Sequence, residues 1–256
     1  MNRTVQALLL ICACMGADTC KAGNFFQACD TALKTRPFAS LAAFVARQDG
    51  VIDTSGTDIA PQSCLRLNDH EFFVIPAVSG GSVGNLYHCD FKAGRACSPY
   101  GETGRIYPNT EVDTEFTDAN GKHFALLASQ TLKHGVFSQT YIVFYLADPR
   151  KTPDGVPFRL EDMASATNFS ESDSDNGPCN SNLNGREYVL HTANAIGSAR
   201  FTNDLTGNAR LSFDITEEDC DTKVNSTYVR EYSYRNGHFI EVSGARPPKN
   251  SGKRLH

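Results

Sequence analysis

From Cys64 onward the chain alternates in short runs rich in Val, Ile, Phe, Tyr and Thr, separated by Gly, Asn, Asp and Pro. A period of two is the signature of β-strands, because successive side chains leave the backbone on opposite sides. The runs predict strands at 71–78, 86–92, 111–118, 122–132, 136–147, 186–195, 208–216, 227–235 and 238–242. One of them says more than the rest. Within 136–147, Ile142, Phe144 and Leu146 fall on one side, and Phe137, Tyr141, Val143 and Tyr145 on the other. A strand that is apolar on both sides belongs in the middle of a sheet covered on both faces.

The breaks between runs have their own chemistry. Asn120-Gly121, Thr206-Gly207 and Asn236-Gly237 each separate two β-like runs, and glycine supplies the positive φ of a tight hairpin turn. Their surroundings, DANGKHFALL, DLTGNARLSF and SYRNGHFIEV, look alike but recur at irregular intervals. The likeness therefore reports repeated hairpin chemistry and not a solenoid or propeller. Asp148 to Phe158, with Pro149, Pro153, Gly155 and Pro157, reads as a turn-rich connection and a candidate subdomain boundary. Ala164 to Asn184 reads as a polar acidic loop pinned by Cys179.

Helical periodicity is confined to the N-terminal part. Pro37 opens a segment with Phe38, Leu41, Ala42 and Val45 on one face, and Gly50 stands where a left-handed stop is cheapest. A weaker helical pattern runs from Phe26 to Leu33. The expected fold is mainly β, built of antiparallel sheets as a sandwich or as two packed β subdomains, with one or two short N-terminal helices and structural disulfides. Residues 18–147 would hold the helical part and a first β region, and 148–245 a second β region in the same or a separate domain. Arg246 to His256, with Pro247, Pro248, Lys249, Lys253 and Arg254, offers nothing to bury and reads as a disordered basic tail.

Residues 1–17 have the three-part layout of a signal peptide: Arg3, an apolar core from Ala7 to Ile11, and small residues at Ala13, Gly16 and Ala17. The apolar stretch is well short of the ~20 residues of a membrane-spanning helix. Ile11-Cys12-Ala13-Cys14 resembles the lipobox of bacterial lipoproteins, and that resemblance implies a lipid anchor on Cys14 as the alternative to simple release. Both routes end in the periplasm or outside the cell, where disulfides are the default use of thiols.

Removing Cys12 and Cys14 from the nine cysteines leaves seven: Cys20, Cys29, Cys64, Cys89, Cys97, Cys179 and Cys220. Spacing alone does not fix their pairing. Proximity favours Cys20 with Cys29 and Cys89 with Cys97, while Cys179 and Cys220 bracket a hairpin-rich region, which leaves Cys64 as the free thiol. No C-x-x-C or H-x-x-H spacing occurs, so neither a metal site nor a cofactor is expected.

Losing Arg3 with the leader changes the basic count from 24 to 23 against 29 acidic residues, a net charge near −6. Such a surface argues against nucleic acid, whose phosphates need a basic stripe. Three patterns in the chain carry candidate chemistry. Gly80-Gly81-Ser82-Val83-Gly84 satisfies the G-x-S-x-G pattern of a hydrolase nucleophile elbow, with His134, His191 and His238 downstream in a permissible order. That elbow requires a helix after the serine, whereas the following residues alternate like a strand. Asp173-Ser174-Asp175-Asn176-Gly177 resembles part of a calcium loop, but the sixth and twelfth EF-hand positions would be Pro178 and Asn184. Glu111, Asp113 and Glu115 sit at alternate positions of one strand, which predicts a shared acidic face, as a docking patch or as carboxylates for acid and base work. Asn168-Phe169-Ser170 and Asn225-Ser226-Thr227 match the glycosylation sequon, which matters only in a eukaryotic host.

Size, disulfides, mild acidity and aromatic-rich strands without a coherent active site point to an exported protein that binds another protein, as an inhibitor or a toxin-immunity protein does. Glu111, Asp113, Glu115, Asp173 and Asp175 are the expected partner contacts. The alternatives are an extracytoplasmic hydrolase and a passive envelope component.

Overall fold

The computed structural model describes residues 26–27, 60–68, 70–77, 85–90, 97–100, 107–133, 135–150, 152, 156–169, 177–183 and 185–243. The leader expected at 1–17, Cys14, Cys20, Cys29, the helix expected at 37–50, the Gly80 to Gly84 run, Asp173, Asp175 and the tail expected from Arg246 lie outside those residues.

Within them the chain is mainly β, as its period of two predicts. A first sheet joins β1 (Ala60–Arg66), β2 (Glu71–Ala77), β3 (Tyr87–Asp90) and β4 (Cys97–Pro99) in that order. Next come β5 (Thr110–Thr117), β6 (His123–Lys133), β7 (Val136–Leu146) and β8 (Phe158–Phe169). A small ribbon follows, β9 (Asn180–Leu183) with β10 (Arg186–Val189). The chain ends with β11 (Thr192–Asn203), β12 (Ala209–Asp219), β13 (Val224–Arg235) and β14 (His238–Ser243). The last four strands and β5 to β8 make one sheet in the order β14-β13-β12-β11-β8-β7-β6-β5. Every strand pairing is antiparallel. The described residues contain no helix, and Gln27, in the weaker helical candidate, forms an isolated antiparallel bridge with Cys64.

The large sheet is creased between β8 and β11, where the backbone register thins to the single pair Asn194 and Thr167. Folding there lets the two halves face each other. Phe124, Leu126 and Ala128 of β6 and Tyr141, Val143 and Tyr145 of β7 share one core with Leu211, Phe213 and Ile215 of β12, Tyr232 of β13 and Phe239 of β14. The other side of β6 and β7, through Ala125, Leu127, Ile142 and Phe144, packs with Phe73 and Ile75 of β2 and with Phe158 and Leu160 of β8. Strand β7 is thus covered on both faces, which is the environment its double apolar pattern demands.

At the crease a side chain replaces the missing ladder. Asn194 accepts a hydrogen bond from the Thr167 amide through Oδ1 (2.6 Å) and donates from Nδ2 to the Ser165 carbonyl (2.8 Å), and Asn168 Nδ2 donates to the Asn194 carbonyl (3.3 Å). Backbone polar groups left without partners are destabilising, so an amide that supplies both a donor and an acceptor is well suited to this position. Asn194→Ala is expected to lower the unfolding free energy by about 1–3 kcal/mol, read from urea denaturation. An unaltered midpoint would show that apolar contacts alone hold the crease.

The hairpin glycines adopt the positive φ expected of them: +80° at Gly121, +83° at Gly207 and +91° at Gly237. The likeness of DANGK to DLTGN also has a structural cause. Asp118 Oδ1 accepts from the amides of Asn120 and Lys122, and Asp204 Oδ1 from those of Thr206 and Asn208, so the two turns are built alike. They also touch, because the Ala119 amide donates to the Gly207 carbonyl (3.1 Å) and Asn120 Nδ2 to Asn208 Oδ1 (3.1 Å). The third turn differs: Asn236 and Gly237 are a two-residue loop, both at positive φ, closing the Arg235 and His238 pair.

Three expectations need correction. Ala164 to Phe169 is strand and not loop: it continues β8, and its small residues pair with β7 from Val136 to Tyr141. The expected strand 186–195 is two, because at Leu190 and His191 the chain leaves the ribbon and enters the large sheet. Finally, Cys64 is disulfide-bonded, as is Cys89, so Cys64 is not the free thiol. Elimination failed there because distance along the chain does not measure distance in space. Cys97 stands opposite Cys89 in the β3–β4 register. The Cys179–Cys220 bridge is present, with its Cα atoms 5.6 Å apart.

Candidate functional site

The acidic strand does not present one face. A β-bulge at Asp113 shifts the β5 register, pairing Val112 with Leu127 and Thr114 with Leu126. One inserted residue reverses the alternation beyond it. Glu111 therefore lies on the face of Ala128, while Glu115 lies on the face of Ala125, toward the first sheet, where its Oε1 accepts the Phe26 amide at 2.5 Å. Phe26, Ser63, Val112, Asp113, Thr114 and Glu115 line a hollow of about 390 Å³. Burial pushes the Asp113 carboxyl up, and Asp113 and Glu111 in turn raise the Tyr141 phenol, after the larger effect of that phenol's own burial. Bulges and charges are how proteins blunt an edge strand, and β5 is the edge of its sheet.

A second region is the end of the sandwich that carries the Cys179–Cys220 bridge. Register places the β6–β7 turn, the end of β8, the start of β11 and the β12–β13 turn together there. The bridge ties the root of the β9–β10 ribbon to the β12–β13 turn, and Cys179, Cys220, Ala193 and Leu190 pack around it. Every residue of β10 is exposed. Tyr188 (41 %), Val189 (55 %) and Val224 (58 %) are exposed large apolar side chains, as is Leu132 (62 %) near the end of β6.

The third region is at the opposite end, among the glycine turns. A cleft of about 710 Å³ is lined by Lys122, Tyr145, Asp148, Arg159, Glu161, Tyr234 and His238, with Thr152 and the Asn236-Gly237 turn at its rim. Lys122 Nζ donates to the Leu146 carbonyl (2.8 Å) and stands 5.1 and 4.9 Å from the ring centres of Tyr145 and Tyr234, close enough for cation–π attraction to both. The Tyr145 hydroxyl donates to Glu161 and lies 2.8 Å from the Gly237 carbonyl, while the Phe239 amide donates to Glu161 Oε2 at 2.9 Å. Burial, and then the Glu161 carboxylate, raise the Tyr145 phenol far above its ordinary value. Burial likewise pushes Tyr234 up to about 12. Both rings stay neutral phenols. Glu161 thus ties β8 to β14.

The remaining sequence candidates separate widely. Residues 87–90, which follow the G-x-S-x-G run, are strand β3 and not a helix, so the context of a nucleophile elbow is missing. His191, in the same proposed order, is exposed and lies 3.4 Å from Asp221. No group of three or more His, Cys, Asp or Glu side chains able to hold a metal occurs among the described residues. No helix among them is long and apolar enough to cross a membrane. No protein-family description matches the chain, and no curated protein is similar to it. No sequence signal marks the cleft, because its residues come from strands and turns scattered between 122 and 238 and share no local spacing.

Proposed function

We propose that this is an exported, disulfide-stabilised β module, periplasmic or secreted, that binds another protein through the end bearing the Cys179–Cys220 bridge. The observation that carries the reading is the fully exposed β10, presenting Tyr188 and Val189 from a ribbon whose root is fixed by that bridge. Protein contact surfaces favour a rigid aromatic or apolar centre within a polar rim, and a pinned ribbon loses little freedom on docking. Arg186, Glu187, His191 and Asp221 supply that rim. An inhibitor or a toxin-immunity protein is the class that fits this chemistry, with a partner offering an apolar patch to the ribbon. Glu111 and Asp113 on the β5 edge are a secondary contact, and the acidic residues Asp173 and Asp175 precede the ribbon in the chain.

The test is comparative capture. The mature protein and its Tyr188→Ser/Val189→Ser variant, both with intact disulfides, are crosslinked in the extracytoplasmic fraction of the native host. A defined protein recovered with the unaltered chain and reduced tenfold or more with the variant supports the reading. Equal recovery of the same proteins by both overturns it.

A further inference from the structure

We propose that the partner docks by strand addition: an extended segment of it pairs with the outer edge of β10 and meets the backbone amides and carbonyls of Glu187 and Val189. The inference rests on the protein-binding reading of this end of the molecule and names the chemistry of the partner there.

The hydrogen-bond phase of the ribbon leads to this assignment. Along a strand, successive residues turn their amide and carbonyl to opposite edges. The Leu190 amide donates to the Cys179 carbonyl at 2.9 Å, so Leu190, Tyr188 and Arg186 address β9, where Tyr188 stands opposite Ser181 and Arg186 opposite Leu183. His191, Val189 and Glu187 therefore address the other edge. There the His191 carbonyl accepts the amide of Cys220, the residue after β12, at 3.1 Å. Beyond that bond the ladder stops. Among the described residues no strand pairs with the outer edge of β10, and Glu187 and Val189 are exposed.

This edge differs from that of the large sheet. The β5 edge is interrupted by its bulge at Asp113, whereas β10 has no proline and keeps an unbroken register over all four of its pairs. A regular, unpaired edge is a template for another strand. The Cys179–Cys220 bridge fixes its root, so an added strand gains main-chain hydrogen bonds without having to order the edge first.

Side chains set the remaining chemistry. Tyr188 lies on the face of the buried Ser181, and Glu187 and Val189 lie on the opposite face. An added strand places its own side chains beside both, which suits apolar residues next to Tyr188 and Val189. Charge gives the segment a polarity. Asp221 stands at the foot of the edge, 3.4 Å from His191, and Arg186 is at the tip, so a basic residue belongs near the foot.

The experiment is amide hydrogen exchange, read by nuclear magnetic resonance on the full chain with its disulfides intact. The probe is a blocked hexapeptide of alternating valine and threonine ending in lysine, and its fully backbone N-methylated form is the control. Saturating peptide is expected to slow exchange at Glu187 and Val189 about tenfold or more and to leave Arg186 and Tyr188, already bonded to β9, unchanged. The methylated form should have no effect. Glu187→Pro removes one outward donor and no bond to β9, so peptide affinity should fall about tenfold or more while Arg186 and Tyr188 keep their protection. Unslowed exchange at Glu187 and Val189 with millimolar peptide, or equal slowing at all four residues, overturns strand addition. So does capture from the host in which Tyr188→Ser/Val189→Ser loses the partner and Glu187→Pro retains it, a result that leaves the docking end itself standing.

Discussion

Phe144→Ala is expected to remove about 3–5 kcal/mol of stability, the range for truncating a fully buried aromatic ring. Phe144 is completely buried in the middle of β7 and meets Phe73 edge to face at 4.9 Å, Phe26 at 5.6 Å and Phe158 in a stacked arrangement at 6.0 Å. Those partners come from β2, from the segment ahead of β1 and from β8, so the ring joins the first sheet to the large one. Alanine would leave a cavity that three separately anchored aromatic rings cannot close by small shifts, because packed interiors relax only partly. The chain contains no tryptophan, so unfolding in urea would be followed by tyrosine fluorescence together with far-ultraviolet circular dichroism. Leu146→Ala, two residues on and 43 % exposed, is the control and should change stability by less than about 1 kcal/mol. A loss below about 1 kcal/mol for Phe144→Ala would mean that the first sheet does not cover this face of β7. Two separate transitions in the parent protein would mean that the two sheets unfold independently.

The same strand shows why part of the fold could be read in advance. β7 has eleven residues with large apolar side chains on both faces, and few environments other than a sheet interior accommodate that pattern. The Asn120-Gly121, Thr206-Gly207 and Asn236-Gly237 turns were equally legible, since positive φ is a property of the residue and not of its surroundings. Elsewhere the information was not local. The run Ala164-Ser165-Ala166-Thr167-Asn168 looks like a loop by composition, yet Ala164 and Ala166 are buried because β7 and the crease leave room only for small side chains. The bulge at Asp113 is one residue long and invisible to a period of two, but it sends Glu115 to the opposite face from Glu111 and dissolves the expected acidic stripe. Cys64 could not be placed by elimination, because pairing is decided by which strands lie side by side. The cleft combines residues as far apart in sequence as Lys122 and His238 on the strength of how β6, β7, β8 and β14 come together, and no spacing rule anticipates such a set.

Removing the Cys179–Cys220 bridge in a Cys179→Ala/Cys220→Ala variant is expected to destabilise the protein by about 4 kcal/mol, the loop-closure value for residues this far apart. The two cysteines are separated by 41 positions, and the closed loop contains the β9–β10 ribbon and all of β11 and β12. Opening it frees the unfolded chain, and it also removes the buried packing of both sulfurs against Ala193. That second effect ties the bridge to the crease. Ala193 is the chain neighbour of Asn194, whose amide is the polar clasp between β8 and β11, so the bridge and the clasp hold adjacent points of one fold line. Residues that share a support do not act independently, and combining the bridge deletion with Asn194→Ala should depart from additivity by about 0.5 kcal/mol or more. Urea titrations of the parent, both variants and their combination provide the cycle. A loss under about 1 kcal/mol on deleting the bridge would show that the ribbon root is already fixed without it, and strict additivity would separate the bridge from the crease. On the proposed protein-binding reading the same geometry has a functional consequence: a ribbon no longer tethered at Cys179 would have to be ordered at the moment of docking, so the bridge-deleted protein should capture a partner of the Tyr188 and Val189 surface more weakly than the parent.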